Sequence, residues 1–175
     1  FIIKWGSKFK GGTVRKEMIS TVDIMPTVLE AAGVKLPAEL SGKSIIRLLK
    51  GKQDKWREYL FGEFTAHMRS HLFPRRAVRD QRFKLIHNLD HGKQNPIKSV
   101  DGCKAYDFIM KKGNVPEYIK QAYQTYTTPP EFELYDLQID PHEFNNLAAI
   151  PYYQKTLSRL KNALEKWQID TNDSV

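Results

Sequence analysis

The sequence has little from which to make a covalent staple or a membrane span. It contains one cysteine, Cys103, so no disulfide can close within the chain and the redox compartment leaves no trace. No apolar run approaches the roughly 20 residues that cross a bilayer, so no membrane-spanning helix is expected. Internal repeats and low-complexity tracts are absent, which sets aside solenoids and repetitive linkers. Acidic residues are outnumbered: 20 Asp and Glu face 28 Lys and Arg, a formal net charge of +8. That field attracts polyanions such as nucleic acid, sulfated sugar or anionic lipid. A solvated basic surface, or one facing an acidic partner domain, carries the same signature. Methionine is missing from position 1, and FIIKW opens in mid-pattern as a strand does, with no signal peptide ahead of it. The expectation is that a further part of the protein precedes it.

What is present reads as an ordinary globular pattern. With 175 residues, 41% hydrophobic and 27% charged, the chain has the size of one domain, or of one domain and a piece of another. FIIKW (1–5) is expected as a buried strand. ISTVDIMPTVLEAAGV has helical spacing, with Val22, Met25, Val28, Leu29 and Ala32 on one side. Pro26 is tolerated in a first turn, where N–H groups have no intrahelical partner, and Gly33 supplies the stop. KLPAELSGKSIIRLLKGK reads as a surface excursion with a short apolar centre. EYLFGEFTA (58–66), RRAVRD, RFKLIHNL and FELYDL read as strands, the middle two joined as a hairpin near Asp80 and Gln81. That turn lacks the Asn-Gly or Asp-Gly signal of a tight one. Residues 90–130 look irregular and aromatic, with helical hints at 104–112 and 116–125. PYYQKTLSRLKNALEKWQ places Tyr153, Leu157, Leu160, Leu164 and Trp167 at steps of four, three, four and three, an amphipathic helix opened by Pro151.

ELYDLQIDPHEFNNLA, residues 133–148, crowds Asp136, Asp140, His142 and Glu143 into eight positions. A calcium loop of the EF-hand type needs ligands at alternate positions and a glycine at the sixth, and neither is there. One histidine and no cysteine are too few ligands for zinc. A turn accounts for the stretch better: Asp-Pro initiates, Asp140 caps the N–H groups that follow, Glu143 completes a capping-box-like pattern, and Leu147 returns to the core. His87, Asp90 and His91 could imitate a metal cluster, against the reading of a solvated hairpin end. Arg69, Arg75, Arg79, Arg82 and Lys84 form a basic stretch with Phe73 and Phe83 among them, but no nucleic-acid motif accompanies it and no nucleic-acid partner is expected.

Four segments also resemble one family, in that family's order. LYDLQIDPHEFNNLA is similar to the segment near the C-terminus of sulfatases. STVDIMPTVLEAAGVKLP resembles the helix after the last strand of their catalytic domain. SGKSIIRLLKGK resembles the segment that follows it, and RAVRDQRFKLIHNL the first hairpin of the C-terminal subdomain. HMRSHLFPRRAVRDQRFKLIHNL, the insert after it and the ending LEKWQIDTND look like the N-sulfoglucosamine sulfohydrolase (heparan N-sulfatase) branch.

The resemblance implies an α+β C-terminal region: a small antiparallel sheet with the 151–168 helix packed on it, preceded by a strand and helix of an alkaline-phosphatase-like α/β catalytic domain. Residues 1–55 would then end the catalytic domain with its connector, and 56–175 would form the subdomain, with an insert at 90–130. It implies hydrolysis of sulfate from a sulfated sugar, most simply the N-sulfate of glucosamine in heparan-type glycosaminoglycan, with an O-sulfatase of a related sugar or a free-standing binding module for anionic glycans as alternatives. The chemistry would use calcium and a formylglycine made from Cys or Ser in Cys/Ser-x-Pro-x-Arg. Cys103 is followed by Lys-Ala-Tyr-Asp and lacks that motif. No catalytic or metal residue is therefore expected in this chain, and the chain alone is expected to be inactive. The implied partners are the missing N-terminal catalytic domain and a sulfated saccharide, and the implied compartments are periplasmic, extracellular or lysosomal. His67 and Arg76 match a histidine and an arginine of that branch, which makes them candidate substrate-binding residues; an arginine fork suits sulfate or carboxylate. The competing reading makes His67 a satisfied loop residue and pairs Arg76 with a local acid such as Glu63. Residues 1–5 and the 21–33 helix are expected to leave apolar surface uncovered, because the sheet they would pack on is not in this chain.

Overall fold

The computed structural model describes residues 1–6, 8–52, 55–66, 72–95, 104–111 and 114–173. They fall into two compact units, Phe1–Leu60 and Phe61–Val175.

In the first unit, a 3-10 turn at Thr21–Asp23 runs into α1, Ile24–Ala31. Pro26 is buried in the first turn of α1, where its missing N–H breaks no helical bond. Gly33, at φ +71°, ends the helix and lets the Val34 N–H return to the Leu29 carbonyl at 2.9 Å. The inward side of this helix start is polar. Asp23 is 1% exposed and accepts hydrogen bonds from the N–H groups of Ser20 and Lys43, each at 2.8 Å, and from both arms of Arg57 at 2.6 and 2.7 Å. Gly42 lies so close to this knot that a Cβ there would stand 1.9 Å from the Val22 carbonyl oxygen. The apolar centre is supplied by Met18, Ile45 and the short α2, Ile46–Leu49, whose Ile46 and Leu48 are buried. The SIIRLL run, expected on a surface excursion, is thus the core of this unit.

Residues 1–5 depart from expectation: they have no regular secondary structure. A strand exists only through a hydrogen-bonded neighbour, and no described residue pairs with this segment. Phe1 and Ile2 are correspondingly exposed, as are Val22, Met25 and Val28 of the helical segment.

The second unit is built on a four-stranded antiparallel sheet in the order β1-β2-β3-β4, formed by Leu60–Ala66, Leu72–Arg79, Phe83–Asn88 and Phe132–Asp136. Asp80 makes the β2–β3 turn that lacks the usual dipeptide. Its carboxylate accepts the N–H groups of Arg82 and Phe83 at 2.7 and 2.6 Å, doing with a side chain what Asn-Gly does with backbone angles. The register sets Val78 opposite Leu85 and Leu85 opposite Leu134, one apolar row across three strands. On that face lies α5, Gln154–Thr171, preceded by a 3-10 turn at Pro151–Tyr153. All five positions of the spaced set serve. Leu157, Leu160 and Leu164 are buried, Tyr153 meets Phe83 edge-on, and Trp167 stacks on Phe61 with ring centroids 5.2 Å apart. Asn172, in the left-handed region at φ 54°, ends the helix.

Between β3 and β4 the chain forms α3, Lys104–Lys111, and α4, Glu117–Thr127. Asn95 ties down the end of α4, donating from its backbone to Thr127 O at 2.7 Å and from its side chain to Tyr126 O at 3.0 Å. Beyond β4 the chain doubles back. Asn146 then acts toward β4 as a peptide group would: its Oδ1 accepts the Leu134 N–H at 2.9 Å and its Nδ2 donates to Phe132 O at 3.1 Å. The Leu147 N–H adds a bond to Leu134 O at 2.8 Å.

Candidate functional site

Of the two candidate substrate residues, His67 lies outside the described residues. Arg76 is placed by β2, on the side of the sheet that faces α5, and it is 1% exposed. Both arms of its fork go to one carboxylate: Nε donates to Asp173 Oδ2 at 2.5 Å and an Nη donates to Asp173 Oδ1 at 2.8 Å. The other Nη reaches the Arg75 carbonyl at 3.1 Å. The left-handed turn at Asn172 aims Asp173 back at the strand. Asp173 raises the Arg76 pKa further above its ordinary value, so the guanidinium is permanently charged. Within this chain the Arg76 fork is therefore turned toward the last helix. It joins the middle of β2 to the end of the last helix. The competing reading had the right chemistry and the wrong partner: the acid is Asp173, 97 residues away, and not Glu63.

The 133–148 stretch is a turn. The Asp140 N–H returns to Asp136 O at 2.8 Å and the Glu143 N–H to Asp140 O at 3.2 Å. Asp140 accepts the Asn145 N–H at 2.7 Å. Glu143 does not close a capping box. It stands at φ 60° and its carboxylate takes Lys84 Nζ at 2.7 Å. Asp136, wholly buried, is held below the usual carboxylate range chiefly by Arg82, whose Nε and Nη lie 2.9 and 2.6 Å away. Arg82 and Lys84 of the basic stretch are therefore spent on structural acids. His87, Asp90 and His91 do not converge. His87 stacks on Phe132, with burial the main cause of its lowered pKa; His91 contacts Asn88 O; Asp90 pairs with Lys93 at 2.7 Å. Among the described residues no three side chains gather as metal ligands.

The sheet face turned away from α5 borders a cleft of about 810 Å³. Its floor carries Arg75, Lys84, Glu133 and Tyr135; α4 and residues 143–150 form its walls. Tyr135 donates its hydroxyl to Glu133, whose other oxygen accepts Asn88 Nδ2 at 2.7 Å. Burial, and then the Glu133 hydrogen bond, push the Tyr135 phenol well above its ordinary pKa, so it stays a neutral donor. Sequence reasoning named Arg75, Lys84, Glu143 and Leu147 separately but did not link them as a cleft. Its parts come from two strands, a helix and a turn, and no local pattern links them.

The family described as N-sulphoglucosamine sulphohydrolase, C-terminal, matches residues 1–100. An ulvan-active sulfatase of Formosa agariphila is 33% identical over 169 residues, covering 95% of this chain and 32% of that protein. Human N-sulphoglucosamine sulphohydrolase is 28% identical over 174 residues, covering 93% of this chain and 34% of that protein. Among solved structures, a 2-O GAG sulfatase superposes with a TM-score of 0.60 at 28% identity, over 86% of this chain and 25% of its own. The chain thus spans about a third of the length of these curated relatives.

Proposed function

The chain belongs to the N-sulphoglucosamine sulphohydrolase family, whose C-terminal region it represents, and from that membership we propose that the complete protein hydrolyses the N-linked sulfate of glucosamine in a heparan-type glycosaminoglycan. The family match over residues 1–100 carries the reading. The formal charge of +8 supports it, since a basic surface draws a polyanionic sugar toward the site.

In this reading the formylglycine and the calcium ion belong to the part of the protein outside this chain. No residue of this chain is assigned to calcium. The exposed apolar side of the 21–33 helix and residues 1–5 are the surface that the catalytic domain covers. His67, on the segment between β1 and β2, is the residue we assign to the sugar; Arg76 serves it only by holding β2 in place.

A second reading is favoured by one comparison: the 2-O GAG sulfatase shares 28% identity, the same figure as the human N-sulphoglucosamine enzyme. Sulfate release by the complete protein from N-sulfated glucosamine, beside 2-O- and 6-O-sulfated sugars, separates the two. Turnover confined to O-sulfated sugars would replace the N-sulfate reading and leave a sulfatase. Binding without turnover of any of them would leave an anionic-glycan module. The 175-residue chain alone should release no sulfate, and calcium-dependent turnover by it would overturn the assignment of the chemistry to the rest of the protein.

A further inference from the structure

The cleft between α4 and the sheet has its charges arranged for a ligand. Glu133 is engaged by Tyr135 and Asn88, and Lys84 and Glu143 neutralise each other at 2.7 Å. Arg75 stands apart. Its guanidinium lies 5.2 Å from the centre of the Phe64 ring, and among the described residues no carboxylate pairs with it. A guanidinium stacked on a ring keeps its N–H edge free for a planar or tetrahedral anion. Around the cleft stand the amide of Gln124 and the rings of Tyr126 and Phe144, with Gln124 and Phe144 exposed. One unpaired cation, neutral amide and phenol donors, and aromatic faces at the rim are the complement of a ring that has hydroxyls, an apolar C–H face and one acid group. The volume lies within the range of about 300–1,000 Å³ usual for small-ligand sites.

We propose that this cleft binds an anionic saccharide ring, with Arg75 holding its sulfate or carboxylate, Gln124 meeting its hydroxyls, and Tyr126 and Phe144 lying against its carbon face. The site grips the sugar chain and performs no chemistry. Its test reads binding alone, so its failure is distinguishable from failure of the hydrolytic reading.

The test is calorimetric titration of the chain with a heparin-derived tetrasaccharide at about 0.15 M ionic strength, where long-range attraction is screened. Saturable binding is expected. Arg75→Gln, which keeps an uncharged side chain over Phe64, should weaken it about tenfold or more, the loss that follows from removing a charge-assisted contact. Arg75→Ala should weaken it at least as much, with an unchanged melting temperature to show that the fold survives. Lys166→Ala removes a charge that is 76% exposed on α5 and should leave the affinity unchanged. Equal weakening by Arg75→Gln and Lys166→Ala would mean that the general positive field does the binding, and would overturn the proposal. So would the absence of saturable binding. A desulfated tetrasaccharide that keeps its uronates identifies the anion: retained affinity assigns the carboxylate, lost affinity the sulfate.

Discussion

Each unit contains an arginine fork closed on an aspartate, and each carries a helix with one apolar side, but the two are assembled in opposite senses. In the first unit Arg57 and Asp23 join the start of α1 to a segment 34 residues on, and α1 turns its polar start inward while Met25 and Val28 remain 59% and 58% exposed. In the second unit Arg76 and Asp173 join β2 to the end of α5, and α5 turns its leucines inward, with Leu160 fully buried. Specific polar ties can hold a helix without apolar cover. What they do not do is remove its apolar side from water, so the first unit keeps an uncovered face where the second has a core.

The sharpest way to break this comparison is to remove one half of a fork. Asp173→Ala leaves Arg76 charged, buried and unpaired, and should destabilise the second unit by about 3–5 kcal/mol. Urea unfolding followed by the helical circular-dichroism signal measures it. A loss below about 1 kcal/mol would mean that water reaches Arg76 and that the fork is ornamental.

Next in size is the contrast between the two helices. Leu160→Ala should cost about 2–5 kcal/mol, because it opens a cavity under α5. Met25→Ala on α1 should change stability by no more than about 0.5 kcal/mol, as exposed substitutions do. Equal losses would mean that the Met25 side of α1 is covered in solution, by a second copy or by another surface.

The gentlest change is pH. Burial opposes ionisation of Asp23 and of Asp80, but Arg57 and two N–H groups at the first, and two N–H groups and Arg159 at the second, together hold each below the usual carboxylate range. Asp136 is held low by Arg82. For such groups the unfolded chain binds protons first as the pH falls. Their stabilisation is therefore complete above about pH 5 and is lost as the pH drops through about 4 and lower. Asp23→Asn should flatten that acid limb for the first unit, read by Trp56 fluorescence in a Trp5→Phe, Trp167→Phe background. An unchanged limb would remove Asp23 from the set.

What could be read from sequence was whatever repeats locally. The four-three-four-three spacing from Tyr153 to Trp167 announced α5 and its buried side, and Pro26 and Gly33 bracketed α1, because each signal lies within the element it describes. The alternation in RFKLIHNL and FELYDL announced β3 and β4. FIIKW carried an equally good pattern and formed no strand, since a strand depends on a partner that the segment itself does not contain. Arg76 was singled out but its pairing with Asp173 was not, for a related reason: Asp173 is distant in sequence, and nothing near Arg76 points to it. The cleft combines Arg75 with α4 and the turn beyond β4, and only folding brings them together.

The side chain of Asn146 has one more consequence. A sheet with an open last strand is a template: its unused N–H and C=O groups can recruit another extended chain, and repetition of that step builds fibres. By occupying Leu134 N–H and Phe132 O, and with Leu147 taking Leu134 O, the returning chain leaves β4 little to offer a newcomer. The sheet is terminated there by an amide group rather than by another strand, and self-templated growth from that edge is blocked at its first step.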